Sequence, residues 1–144
     1  MPLWNIYHTP DVFSDNEKSE LSRSITDIYT AAGLPRFYVV TLFTEVRPGN
    51  FYVGGEQTTA GVRIHVDHIA RTLPDKSSRE RVTARIGQVL APYLTKDGLH
   101  WEFHIDETSE ELWMINGQVP PPMNSDAERE WARTNSSGPY LASA

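Results

Sequence analysis

The feature that most limits what this chain can fold into is a strand, helix, strand order that occurs twice. In the first round, Leu3, Trp4, Ile6 and Tyr7 make an apolar-rich strand that stops at His8-Thr9-Pro10, where proline removes a ladder donor and favours a turn. Ser14 and Glu17 then form an S-x-x-E capping box, and Leu21, Ile25, Ile28 and Ala32 recur at helical spacing until Gly33. Phe37 to Val46, rich in β-branched and aromatic residues and closed by Pro48-Gly49, reads as the strand that follows. In the second round Val62 to Ile69 is a strand, Pro74-Asp75 opens a helix with apolar Val82, Ile86, Val89, Leu90 and Tyr93, and His100 to Ile105 is a strand. Leu21, Ile25 and Ile28 find counterparts roughly sixty positions later in Val82, Ile86 and Val89.

A strand-helix-strand unit with a right-handed crossover makes its strands parallel. The expected architecture is therefore α/β: two fused β-α-β units forming a four-stranded sheet with both helices on one face. One domain is expected over residues 1–144, with pseudo-repeats 2–48 and 60–107 and a carboxy-terminal tail 108–144. The tail holds two short helical candidates, Ser109 to Ile115 and Ser125 to Arg133, the latter with a second S-x-x-E box at Ser125 and Glu128. Pro120-Pro121-Pro122 separates them and stiffens the chain, while Ser136-Ser137-Gly138 reads as partly flexible. So little chain is left to cover the second sheet face that oligomerisation is expected to cover it.

Composition excludes several classes of function. The longest apolar stretch, Phe37 to Phe43, is interrupted by Thr41 and falls far short of the ~20 residues that a bilayer span needs. Met1-Pro2-Leu3-Trp4-Asn5 has no signal-peptide character, so a cytoplasmic protein without a membrane partner is expected. A net charge of −6 from 13 basic and 19 acidic residues, with no Lys/Arg cluster, argues against a nucleic-acid-binding surface. The absence of cysteine removes disulfides, thiolate nucleophiles, iron–sulfur clusters and Cys-based zinc sites.

Other motifs carry little. His65 and Asp67 fall on one side of their strand and His68 on the other, so the three do not converge on a metal. His100, Glu102 and His104 share a strand face, a geometry open to a two-His-one-carboxylate site, but they read as hydrogen-bonding interface residues, and no metal is expected. Gly54-Gly55 lacks the spacing of a dinucleotide loop and reads as a tight turn. Neither a Ser nucleophile elbow nor a P-loop occurs.

Pro2 at the head of the first strand, the doubled β-α-β order, Ser24-Ile25-Thr26-Asp27 and, above all, Gly49-Asn50-Phe51-Tyr52-Val53-Gly54-Gly55-Glu56-Gln57 resemble the tautomerase superfamily. More narrowly they resemble its cis-3-chloroacrylic acid dehalogenase branch, on a 4-oxalocrotonate tautomerase-like fold. A His-containing strand leading to Arg71, then Trp101-Glu102-Phe103 and the Asn116-Gly117 turn, extends the similarity over residues 2 to 122. The resemblance implies a homotrimer and a free amino-terminal proline in an apolar pocket, working as acid, base or nucleophile with no cofactor. A terminal amine has an unperturbed pKa of about 8, and burial beside a cation lowers it toward the neutral range where a general base is most effective. Arg71 would be that cation and would also hold a substrate carboxylate.

The implied activity is a cofactor-independent tautomerase of small 2-oxo or enol acids. Pro2 moves the proton, Arg71 stabilises the enolate, Tyr29 offers a second donor, and His68, Trp101 and Phe103 line the pocket. The chain departs from the dehalogenase pattern where that branch needs its polar set. Tyr29 stands at the helix histidine, Ala70 and Leu73 at the two arginines, Phe103 at the tyrosine, and Met114 or Ile115 at the glutamate. Hydration of a carbon–carbon double bond needs a group to activate water, and none aligns, so little dehalogenase activity is expected. The alternatives are a hydratase, dehalogenase or decarboxylase of small unsaturated or 3-oxo acids, or a non-catalytic trimeric binding protein. The last holds if Met1 is retained, because the Pro2 nitrogen is then an amide with no basic lone pair.

Overall fold

Strand β1 (Pro2–His8) alternates between two faces and turns Pro2, Trp4, Ile6 and His8 into the interior. This is the centre of the computed structural model, which describes residues 1–69 and 71–141. Helix α1 (Asp15–Thr30) starts where the capping box predicts: Glu17 N donates to Ser14 Oγ at 3.1 Å, and Ser14 N to Glu17 Oε1 at 3.1 Å. It buries Leu21, Ile25 and Tyr29 against the sheet. Strand β2 (Val40–Glu45) returns parallel to β1, with Leu3 opposite Val40 and His8 opposite Glu45.

The strand predicted from Phe37 begins later than expected. Arg36–Tyr38 is a single 3₁₀ turn, and Tyr38 is among the most deeply buried side chains. The reason is tertiary: the Phe37 and Tyr38 rings both pack on Trp131, at 5.9 and 6.3 Å between centroids. Neighbouring residues of an extended strand point to opposite faces and would not both reach it.

After a small hairpin of β3 (Tyr52–Val53) and β4 (Glu56–Gln57), turned by Gly54 and Gly55 at positive φ, comes β5 (Gly61–Ile69). Strand β5 runs antiparallel to β1, with Pro2 opposite His68. Helix α2 (Lys76–Leu94) is capped by Asp75 and buries Ile86, Leu90 and Leu94; β6 (His100–Thr108) then lies parallel to β5. The result is the expected four-stranded sheet, with strand order β2-β1-β5-β6 and its core on the face that α1 and α2 cover.

The other face is uncovered in the single chain. Leu3, Tyr7, Val40 and Leu42 make its β1/β2 half apolar, while Arg63, His65, Asp67, Glu102, His104 and Asp106 make its β5/β6 half charged. In the tail, the first helical candidate shrinks to a 3₁₀ turn, Glu110–Leu112: Trp113 and Ile115 pack against the core while Leu112 and Met114 stay exposed, an alternation that suits extended chain and not a helix. The second candidate is helix α3 (Asp126–Thr134), and it docks on the body through Trp131, which is 3% exposed. The Ser136–Gly138 stretch, expected to be partly flexible, is tied down: Trp131 Nε1 donates to Gly138 O at 3.0 Å and Asn116 Nδ2 to Ser137 Oγ at 3.1 Å. Among the described residues no helix is long and apolar enough to cross a membrane.

Candidate active site

Antiparallel pairing of β1 with β5 brings the start of the chain to the end of β5. Ile69 N donates to Met1 O at 2.7 Å, and the terminal amine donates to Ile69 O. Met1 and Arg71 border two cavities there. One, of about 250 Å³ and largely apolar, is lined by Pro2, Tyr29 and His68 together with Ile28, Val82 and Ile86. The other, of about 300 Å³, lies under the tail and is lined by Tyr38, Trp113, Glu128 and Tyr140. Both are of the size that small organic ligands occupy.

Burial sets the protonation states. Desolvation, and then the Arg71 charge, lower the terminal amine from 8.0 to about 5, with Glu128 opposing. Desolvation, and then the charge of the same amine, lower His68 to about 4, with Glu107 opposing, so its ring is neutral at pH 7. Burial pushes the Tyr29 phenol up, and it stays protonated. Trp4 Nε1 donates to the Tyr29 hydroxyl at 3.0 Å, and that hydroxyl lies 2.7 Å from His68 Nε2. An indole N–H can only donate, so Tyr29 accepts from Trp4 and keeps its own proton for the neutral imidazole.

Four of the six residues singled out from the sequence, Pro2, Tyr29, His68 and Arg71, line the apolar cavity together. Trp101 and Phe103 do not join them: both lie on the helix-facing side of β6, and Phe103 borders a separate cleft with Leu73, Arg79 and Ile105. Ala70, where the resemblance places the first arginine, lies outside the described residues. Leu73, at the second, is an apolar wall of the Pro2 cavity.

The residue that sequence reasoning missed is Glu128, which accepts from Arg71 at 2.8 Å with its side chain only 6% exposed. Its one signal was the second S-x-x-E box. Ser125 does cap α3 by accepting from Glu128 N at 3.2 Å, but the Glu128 carboxylate turns to Arg71 and to Asn124 N instead of closing the box.

On the uncovered face, His65, His104 and Asp106 bring three possible metal ligands within 4.8 Å of one another. The imidazoles are stacked at 4.7 Å with planes 12° apart, so their in-plane lone pairs run side by side. Arg63 lies 2.7 Å from His104 Nδ1, and His65 Nε2 bridges Asp67 and Asp106 at 3.2 and 3.0 Å. The cluster is a hydrogen-bonded pairing of β5 with β6.

A family model described as "Putative oxalocrotonate tautomerase enzyme" matches residues 1–136. Native RhCC from Rhodococcus jostii RHA1 is 42% identical over 96% of this chain and 99% of its own, with a TM-score of 0.92. A structure described as a probable enzyme from the thermophilic fungus Aspergillus fumigatus is 37% identical over 97% of this chain and 98% of its own, with a TM-score of 0.92. At the level of the fold alone, N1 of the cis-3-chloroacrylic acid dehalogenase family is 19% identical over 90% of this chain and 89% of its own, with a TM-score of 0.65. A symmetric trimer of fused 4-OT is 18% identical over 81% of this chain and 93% of its own, with a TM-score of 0.65. A search of curated proteins returns no match.

Proposed function

The chain belongs to this oxalocrotonate tautomerase family, within the tautomerase superfamily, and from that premise we propose that it is a cofactor-independent keto–enol tautomerase whose base is the Pro2 nitrogen, freed by removal of Met1. One observation carries the reading: Met1 borders two cavities beside Arg71, Pro2 lines the apolar one, and burial and that guanidinium lower the Met1 amine to about 5. A Pro2 amine released there, in the same apolar cavity and beside the same guanidinium, would be disfavoured as an ammonium for the same two reasons, which leaves it free to accept a proton. It takes the enol proton, the charge that develops on the oxygen is stabilised by Arg71, and the ammonium returns the proton to carbon. Tyr29 offers a second donor to the oxygen when its single O–H turns from His68 Nε2 to the substrate. Substrates of this reaction are small 2-oxo or enol compounds; in an acid of that class the carboxylate would go to Arg71.

Assembly as a homotrimer is part of the proposal. The uncovered sheet face supports it, and the symmetric trimer of the fused 4-OT relative provides the precedent. Hydration or dehalogenation is secondary, since Tyr29, Leu73 and Phe103 replace polar residues of that branch with groups that do not activate water. The test is intact mass followed by ketonisation of phenylenolpyruvate and of its methyl ester. A preparation lacking Met1 turns over at least one of them, and Pro2→Ala lowers kcat by roughly two orders of magnitude or more. Full turnover by Pro2→Ala, or by protein that retains Met1, removes the proline from the mechanism. Inactivity of protein with a free proline leaves the non-catalytic trimer.

A further inference from the structure

Among the described residues, Arg71 is the only lysine or arginine that borders either cavity at the chain start. It is already taken. The Arg71 guanidinium donates to Glu128 Oε1 at 2.8 Å, and Asn124 N donates to the same oxygen at 3.1 Å. Glu128 is 5% exposed, and the helix that carries it is anchored one turn later by the buried Trp131. Two further carboxylates, Glu110 and Glu111, border the same cavity, so three carboxylates there share the single guanidinium of Arg71.

Building on the tautomerase reading, we propose that this site takes an uncharged carbonyl or enol compound with an apolar body, and that Glu128 sets that preference by occupying the place on Arg71 that a substrate carboxylate would need. An anionic substrate would have to displace Glu128 and leave a buried carboxylate without its partner, which is costly, or share the guanidinium with it and meet its repulsion. An uncharged substrate meets neither penalty. Arg71 has N–H donors beyond the one that serves Glu128, and these remain for a carbonyl oxygen. Ile28, Leu34, Val82 and Ile86 wall the neighbouring cavity for the apolar body. Tyr38 adds a second observation: its hydroxyl is buried, borders the Glu128 cavity and has no hydrogen-bond partner among the described residues. It is a neutral donor for a neutral acceptor.

The experiment is calorimetric binding of phenylpyruvate and of its methyl ester to the full chain and to Glu128→Gln. The chain is expected to bind the ester at least tenfold more tightly than the acid. Glu128→Gln, which frees the guanidinium charge, is expected to shift that ratio at least tenfold toward the acid. The wild-type ratio alone keeps the proposal falsifiable if the variant misfolds. Equal or tighter binding of the acid by the wild type, an unchanged ratio in a folded Glu128→Gln, or no binding of either compound overturns it. Ester binding without any ketonisation strikes only the tautomerase reading and leaves the charge preference of the site standing.

Discussion

Tyr29 and His68 show what residue-level reading can and cannot reach. Each was visible as a candidate, Tyr29 from its place on the helix and His68 from its strand, but their mutual bond spans 39 positions and follows only from the pairing of β5 with β1. The burial of His68 has a consequence for stability. His68 keeps its neutral form down to about 4 in the folded chain, whereas an unfolded histidine takes up a proton near 6.5. Between those values the unfolded state binds more protons, so stability is fully present above pH 6.5 and drains away as the pH falls toward 4. Urea unfolding at pH 7.0 and 4.5 should show the wild type losing roughly 2 to 3 kcal/mol more than His68→Gln, which has nothing to titrate there. Equal losses would show that His68 does not carry this dependence.

At the scale of elements, the local signals held where they were strong. Both S-x-x-E boxes start helices, and apolar spacing located α1 and α2, because caps and periodicity are properties of a few neighbouring residues. What the signals could not convey was where α3 goes. The Glu128 carboxylate leaves its box for a guanidinium 57 positions away, and Trp131 pairs with Phe37 and Tyr38, which is also why the predicted strand start gave way to a 3₁₀ turn. The buried indole is therefore the clamp of the tail. Trp131→Ala should remove contacts worth about 3 to 5 kcal/mol. Since α3 is peripheral to the sheet, much of that loss should appear as local release. In hydrogen exchange, amides of residues 126–134 would lose protection while β1 and β5 keep theirs. Uniform loss across the chain would mean that the tail folds as one unit with the sheet.

For the whole molecule, the open question in the sequence was what covers the second sheet face, and the single chain leaves it bare. Its apolar half, with Leu42 48% and Val40 36% exposed, lies beside a half that carries alternating histidines and acids. Patches of this kind mark contact surfaces. Leu42→Asp, on the exposed face of β2, should yield folded monomer in sedimentation equilibrium, whereas the proposed assembly predicts a trimer for the wild type. An unchanged trimer would move the interface elsewhere. The aromatic packing under the tail carries a different consequence. Trp113 borders the Glu128 cavity with its ring 5.0 Å from Tyr38, while Trp4 and Trp131 are sealed at 0% and 3% exposure. The site thus contains its own light source: a ligand that enters displaces water from one indole and leaves the sealed pair untouched, so occupancy can be followed in the protein's ultraviolet emission without any label.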